Sequence, residues 1–393
     1  MDMRRLVWRT HGAGSLDRLK LQEEPLSPPG PGEARIRVEA IGLNFADIFA
    51  CLGLYSATPS GTFVPGLECA GVIESLGTGA RSSDLHPGDR VIALTRFGAY
   101  ASALNVGIRY LRRVPQGWTM EQAAAWAVQG LTAWHGLVAL GAVERDDVVL
   151  VQSAAGGVGL LALDIVAALG ARPIAVVGQD DKRDFLTGQC GIAPSSVIVR
   201  HARSFGAQID AATAVLGADG IDCVLDAVLG PTFRPAFERL RPEGRYVLYG
   251  AADFMSHASR PNYLTLGWRY LRRPRVDPLA MISANRSVMA FNLIWLWERA
   301  ERLPEGYAAL ERLLPRPPHV GARFAFDQAL EAMRLLQSGK TIGKVVLQVT
   351  APGQDRHRAA RQSVALRCRR RVAFPGEAPH PPQTRKPDAG PHS

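Results

Sequence analysis

The stretch Val148-Val149-Leu150-Val151-Gln152-Ser153-Ala154-Ala155-Gly156-Gly157-Val158-Gly159 constrains this chain more than any other. Four apolar β-formers run into a turn of small residues, and an apolar helical pattern reaching Gly170 follows at once. A strand that passes into a helix through glycine lets the backbone approach a pyrophosphate closely. The helix start then offers unpaired N–H groups and a favourable dipole to the phosphates. Gly156 is placed for that approach and Gly159 for close packing of helix on strand, while Ala154 stands where the G-x-G-x-x-G pattern has its first glycine. Ser153, Ala155, Gly156, Gly157 and Val158 are therefore candidate cofactor contacts. A turn that serves packing alone has the same local sequence, so the order of the surrounding elements must separate the two readings.

That order is regular. Residues 120–140 read as helix-like. Strands predicted at 148–152, 174–177, 196–199, 223–226 and 245–249 then alternate with helices at 159–169, 204–216 and 233–240. Such alternation implies parallel βαβ units and an α/β fold with a Rossmann, doubly wound parallel sheet. Upstream, residues 35–42 and 69–77 alternate with period two between turn sequences at 28–32 and 86–91, which predicts a β-rich first domain. Residues 256–278 read as a polar loop punctuated by Pro and Arg, and residues 344–349 as a last strand.

The choice of dinucleotide turns on the end of the second strand, where an acid grips the adenosine ribose of NADH. Here Ile174-Ala175-Val176-Val177 ends in Gly178, with Lys182 and Arg183 placed to neutralise a 2′-phosphate. Asp180 and Asp181 oppose that placement, but the balance favours NADPH.

Charge and cysteine usage exclude other classes. Of the net charge of +10, the segment 350–393 carries +6, from nine Lys/Arg against three acids. A basic disordered tail is expected there, and the body is not a nucleic-acid-binding domain. Cys51, Cys69, Cys190, Cys223 and Cys368 are scattered singly, which suits a reducing cytoplasm. No secretory leader is evident at the N-terminus, and no apolar run is long enough for stable membrane insertion.

The motifs "GLNFADI" (42–48), "VPGLECAGVIESLG" (64–77), "PGDRV", "GLTAWHGL", "SAAGGVG" and "IGKVVL" resemble, in order, the zinc-independent quinone oxidoreductases of the medium-chain dehydrogenase/reductase superfamily. Residues 277–303 are most similar to its vesicle amine transport protein branch. The resemblance implies a GroES-like catalytic domain from residues 1–125 and 286–349, around a Rossmann NADP-binding domain at 126–285. It also implies a homodimer, with the strand near Tyr246–Tyr249 a candidate edge. Where zinc-dependent members of the superfamily carry Cys, His and Cys ligands, this chain has Asn44, Leu67 and Val128, which cannot bind zinc. No metal is expected.

The resemblance further implies site roles. Asn44 and Asp47 would lie at the cleft, or else cap a helix and hydrogen-bond a loop. Tyr55 would overhang the acceptor, or pack half-buried. Thr132 would touch the nicotinamide ribose or carboxamide, or serve only as a local backbone partner. Lys344 and Asn292 would meet the cofactor. Arg200 stands where many relatives have a tyrosine, and either holds the 2′-phosphate or lies on the surface. Isolated histidines such as His135 read as ordinary core or surface residues.

The expected activity is metal-free hydride transfer from NADPH to a quinone or α,β-unsaturated carbonyl, a small-molecule partner. An enoyl or alkenal double-bond reductase in a biosynthetic pathway is the alternative, with an acceptor pocket built partly from Tyr55, Phe63 and the segment after Asn285. The apolar residues 291–297 of that segment suit a roomy pocket or a buried core helix. A weakly active, NADPH-binding scaffold at a membrane surface is the third reading.

Overall fold

Ala34, Ile36, Val38 and Ala40 are buried and the residues between them are not, as in a strand with one face on a core. The structure, a computed structural model, describes residues 3–80, 84–256 and 258–350. The segment expected as a basic tail, Thr350 apart, lies outside the described residues. Strands β1 (Met3–Thr10) and β2 (Leu19–Leu26) form an antiparallel hairpin. Next come β3 (Glu33–Gly42), β4 (Glu68–Leu76), β5 (Arg90–Leu94), β6 (Ala103–Gly107) and β7 (Leu111–Arg113), joined antiparallel in one larger sheet. The short helix α1 (Phe45–Cys51) leaves the end of β3.

Residues 120–140 do not make one helix. They divide into α2 (Met120–Ala123), α3 (Ala127–Trp134) and wider π-type turns over His135–Leu140. The second sheet then begins with β8 (Val148–Gln152), buried at every position because helices cover both its faces. Helix α4 (Gly157–Leu169) follows, then β9 (Arg172–Val177), α5 (Asp180–Gly188), β10 (Val197–Val199), β11 (Ile221–Asp226), β12 (Leu240–Leu248) and β13 (Ser287–Ala290). All six strands are parallel, in the order β10-β9-β8-β11-β12-β13. That is the doubly wound arrangement read from the sequence, with its order reversing between β8 and β11. Crevices at such a reversal are where these sheets bind ligands.

The chain returns to the first sheet through β14 (Val320–Ala325) and β15 (Lys344–Gln348), and β15 pairs antiparallel with β3, Val346 opposite Gly42. This return brings Lys344 beside the start of α1, some 300 residues earlier in the chain.

Two expectations are corrected here. Residues 256–278 are not all loop, because Tyr263–Leu271 is a helix. Its apolar residues recur at helical spacing, yet Leu264 and Leu271 are 89% and 65% exposed, so the apolar face meets no core among the described residues. The strand at Tyr246 is not an edge, since β12 lies between β11 and β13 and the open edge belongs to β13.

Candidate active site

A cleft of about 650 Å³ opens between the two sheets, lined from the first by Asn44, Tyr55 and Lys344 and from the second by Ser153, Gly156 and Asn292. One end of it is the glycine turn. Ser153 takes a left-handed backbone (φ 54°), and Gly156 caps α4. Gly157 and Val158 follow on the cleft wall. Ala155 is buried, and its carbonyl accepts from Gly343 N at 2.8 Å. Two glycines here are required by close approach. A Cβ at Gly159 would sit 2.3 Å from Ser153 O, and one at Gly157 would sit 2.1 Å from Gln129 Oε1. Gln129 is buried, and that oxygen has no hydrogen-bond partner among the described residues.

Beyond β9 the Arg200 guanidinium reaches Gly178, with Lys182 close enough to feel its charge. A Cβ there would lie 3.7 Å from Arg200 Nη2. Burial lowers the pKa of Lys182, with Arg200 among the lesser charges acting on it, and Lys182 Nζ donates to Gly339 O at 2.5 Å. Burial likewise lowers the Arg200 pKa, against the raising influence of Asp226 and Asp253. Arg183 is not part of this pair: it is bound to Asp180 at 2.9 Å and Asp184 at 3.4 Å.

At the opposite end, four of the expected residues meet. Tyr55 OH donates to Asn292 Oδ1 at 2.7 Å across the cleft, and burial pushes the Tyr55 pKa up to about 12. Asn44 Oδ1 accepts from Lys344 Nζ at 2.8 Å. Thr132 lines the cleft, but its hydroxyl donates to Val128 O at 2.6 Å, the local backbone partnership foreseen as its alternative. Asp47 stands behind the cleft wall, not on it. It is fully buried, one carboxylate oxygen accepts from Asn44 N and Tyr100 OH, and the other has no partner among the described residues. Burial pushes its pKa up to about 7, against hydrogen bonding from Asn44 and the Lys344 charge. Phe63 packs edge-on against Phe97 at 5.5 Å and is absent from the cleft lining.

Three residues outside the sequence-predicted set belong to this site. Glu68 is fully buried, accepting from Lys344 Nζ at 2.5 Å, from Asn44 Nδ2 at 3.1 Å and from Val128 N at 2.9 Å. A carboxylate inside the apolar run Leu67-Glu68-Cys69-Ala70 is the available signal, since Glu is almost never buried without a partner. Gln129 carries no such signal. His135 lines the cleft with Nδ1 unpartnered among the described residues, its ring edge-on to Phe291 at 4.8 Å; burial and Arg302 lower its pKa.

Asn44, Leu67 and Val128 do line one cleft wall together. An amide and two aliphatic side chains offer zinc nothing, and among the described residues no group of three or more His, Cys, Asp or Glu is placed to hold a metal.

A β-rich domain and a doubly wound domain with a cleft between them define a two-domain dehydrogenase or reductase. Comparison with known proteins agrees: residues 30–128 match the alcohol dehydrogenase GroES-like domain, and residues 202–347 match the zinc-binding dehydrogenase domain. The chain is 32% identical over 350 residues to the synaptic vesicle membrane protein VAT-1 homolog of Homo sapiens, covering 88% of this chain and 86% of that one. The solved quinone oxidoreductase from Thermus thermophilus, known also as its complex with NADPH, is 30% identical with a TM-score of 0.69, over 87% of this chain and 99% of its own. The CurK enoyl reductase is 25% identical with a TM-score of 0.70, over 88% of this chain and 99% of its own. The chain belongs to the zinc-independent quinone oxidoreductases of the medium-chain dehydrogenase/reductase superfamily.

Proposed function

We propose that the protein is an NADPH-dependent oxidoreductase that reduces a quinone or an α,β-unsaturated carbonyl without a metal. The Arg200 guanidinium beside Gly178, where an NADH-binding site would carry an acid, with Lys182 within reach of its charge, supports the cofactor choice most directly. NADPH, when bound, supplies the hydride. The Gly156-Gly157 turn and the start of α4 would hold its pyrophosphate, and Gln129 Oε1 stands ready for a donor beside that turn. Lys182 and Arg200 would take the 2′-phosphate. Ser153, Ala155, Val158, Thr132 and Asn292 would complete the cofactor contacts, while Arg183, bound to Asp180 and Asp184, is the weakest member of the set.

At the acceptor end the chain's part is to orient and to exclude water. Asn44 and Tyr55 would face the acceptor, as would Lys344, which the family resemblance assigns to the cofactor, and Asp47 would hold Asn44 from behind. A mostly apolar wall from Leu293, Ile294 and Trp297 suits a flat, electrophilic acceptor. The double-bond reductase reading is favoured by the likeness to the CurK enoyl reductase and needs the same hydride geometry.

The domain division expected from the sequence fits the change of sheet before β8, with the return crossing best placed after Ala290, because β13 pairs within the parallel sheet. A homodimer would have the open edge of β13 available for pairing. A cytoplasmic location suits the free thiols of Cys51, Cys69, Cys190 and Cys223. Among the described residues no helix is long and apolar enough to cross a membrane. Steady-state oxidation of NADPH against a panel of quinones and enals tests the reading. A preference for enals over quinones would favour the double-bond reductase, and cofactor binding without turnover would favour the scaffold.

A further inference from the structure

Lys344 is buried to 1% exposure and yet borders the cleft. Its ammonium donates to Asn44 Oδ1 at 2.8 Å and Glu68 Oε1 at 2.5 Å, and no third acceptor lies in reach among the described residues. Glu68 in turn fixes the wall through Val128 N. The ammonium thus sits beside Asn44 and Glu68, at the wall where zinc-dependent members of the superfamily carry metal ligands. The remaining cations of the cleft, Arg299 and Arg302, sit toward solvent, with side chains 62% and 39% exposed.

Most other polar groups at this end are already engaged, and His135, whose Nδ1 is unpartnered among the described residues, is held toward its neutral form by burial and Arg302. Tyr55 OH donates to Asn292, Thr132 Oγ1 to Val128 O, and Asn44 Nδ2 to Gly42 O and Glu68. A carbonyl that receives hydride at its conjugated carbon develops negative charge on oxygen, and a positioned donor in a dry site lowers that barrier.

We infer that the Lys344 ammonium is the built-in cation of this site, polarising the acceptor's carbonyl oxygen and then protonating it, with Glu68 as its positioning residue. The inference rests on the oxidoreductase reading above and names the group that completes its chemistry. As hydride adds to the β-carbon, a C–H bond forms and the C=C electron pair moves through the conjugated system to the oxygen. A Lys344 N–H bond breaks and an O–H bond forms, giving an enol. From a quinone this is the keto tautomer, which becomes the hydroquinone when water takes a proton from the newly hydrogenated ring carbon and another protonates the second oxygen. The neutral amine regains its proton from water as product leaves. NADPH is oxidised and the acceptor reduced by two electrons. Burial alone would lower the lysine pKa, and Glu68, with Asp47 behind it, works against that loss. The ionisable groups facing the pair from neighbouring elements are Asp47, its partner Tyr100, and Tyr307.

The test uses the full-length protein with NADPH and 1,4-naphthoquinone, comparing wild type with Lys344→Met, Lys344→Arg, Lys344→Ala and Glu68→Gln. Loss of a general acid predicts a fall in kcat of roughly 100-fold for Lys344→Met, with the NADPH Kd, from cofactor fluorescence, changed by less than about threefold. Ethylamine should restore Lys344→Ala by about tenfold or more, and Lys344→Arg should keep part of the rate. In Glu68→Gln the alkaline loss of activity should move to lower pH, because the ammonium has lost the charge that holds its proton. A Lys344→Met kcat within about threefold of wild type, or a loss explained wholly by NADPH Kd, overturns the inference alone. Should the methionine variant not fold, the amine rescue and the Glu68→Gln profile decide: no rescue and an unmoved profile overturn it. A wild type without turnover on any acceptor overturns this inference together with the oxidoreductase reading.

Discussion

Lys344 on β15 and Glu68 on β4 form an ion pair of 2.5 Å, with side chains 1% and 0% exposed. The pair joins the final strand of the fold to the wall of the cleft. Removing one partner leaves the other charged and buried, which typically costs about 3–5 kcal/mol, while an apolar pair of similar volume is far less costly. Glu68→Leu alone should therefore lose about 3 kcal/mol or more in urea unfolding. The double variant Glu68→Leu/Lys344→Met should be more stable than either single one. Additive losses would show that the two charges do not depend on each other.

Asp47 gives a pH signature. Burial raises its pKa from 3.8 to about 7 in the folded chain, so folding favours the protonated form. Its contribution to stability is fully present below the unfolded value and is lost as pH rises through about 7. Between about pH 5 and 8 the wild type should lose on the order of 2–3 kcal/mol relative to Asp47→Asn, which does not titrate. Urea midpoints of the two proteins across that range are the check, and parallel curves would contradict it.

The glycine turn predicts a compensating pair. In Gly157→Ala the new methyl would meet the buried Gln129 amide, so the turn or the amide must shift. Affinity for NADPH should fall by roughly tenfold, and Gln129→Ala in the same chain should recover part of it, as coupled neighbours do. Isothermal titration of the four proteins measures the coupling; no recovery would place the strain elsewhere.

Cofactor selectivity should follow geometry, not proximity in sequence. Arg200→Ala and Lys182→Ala should each weaken NADPH by about 10–100-fold in KM and leave NADH nearly unchanged, as expected for lost charge-assisted hydrogen bonds. Arg183→Ala, whose guanidinium is held by Asp180 and Asp184, should change NADPH by less than about threefold. A large effect at Arg183 with none at Arg200 would reverse the assignment.

What is legible in the sequence is local. The run from Val148 through the glycine turn announces strand, turn and helix, because its apolar pattern and its glycines act over a few residues. Lys344 and Asn44 stand out one at a time, but their contact depends on β15 pairing with β3, and nothing in either segment encodes that register. Glu68 signals by its apolar surroundings only that it needs a partner; which one is hidden for the same reason, since Lys344 is 276 residues away. The helix Tyr263–Leu271 reads as loop because Gly267 inside it and Pro261, Pro274 and Pro278 around it outweigh an apolar period of only nine residues.

The most direct measurement is the initial rate of NADPH oxidation by the full-length protein, with NADH in parallel, against small quinones and α,β-unsaturated aldehydes, with and without a chelator. Turnover that prefers NADPH and is indifferent to the chelator is the predicted result. Equal turnover with NADH, a chelator-sensitive rate, or tight NADPH binding with no turnover on any acceptor would contradict the account.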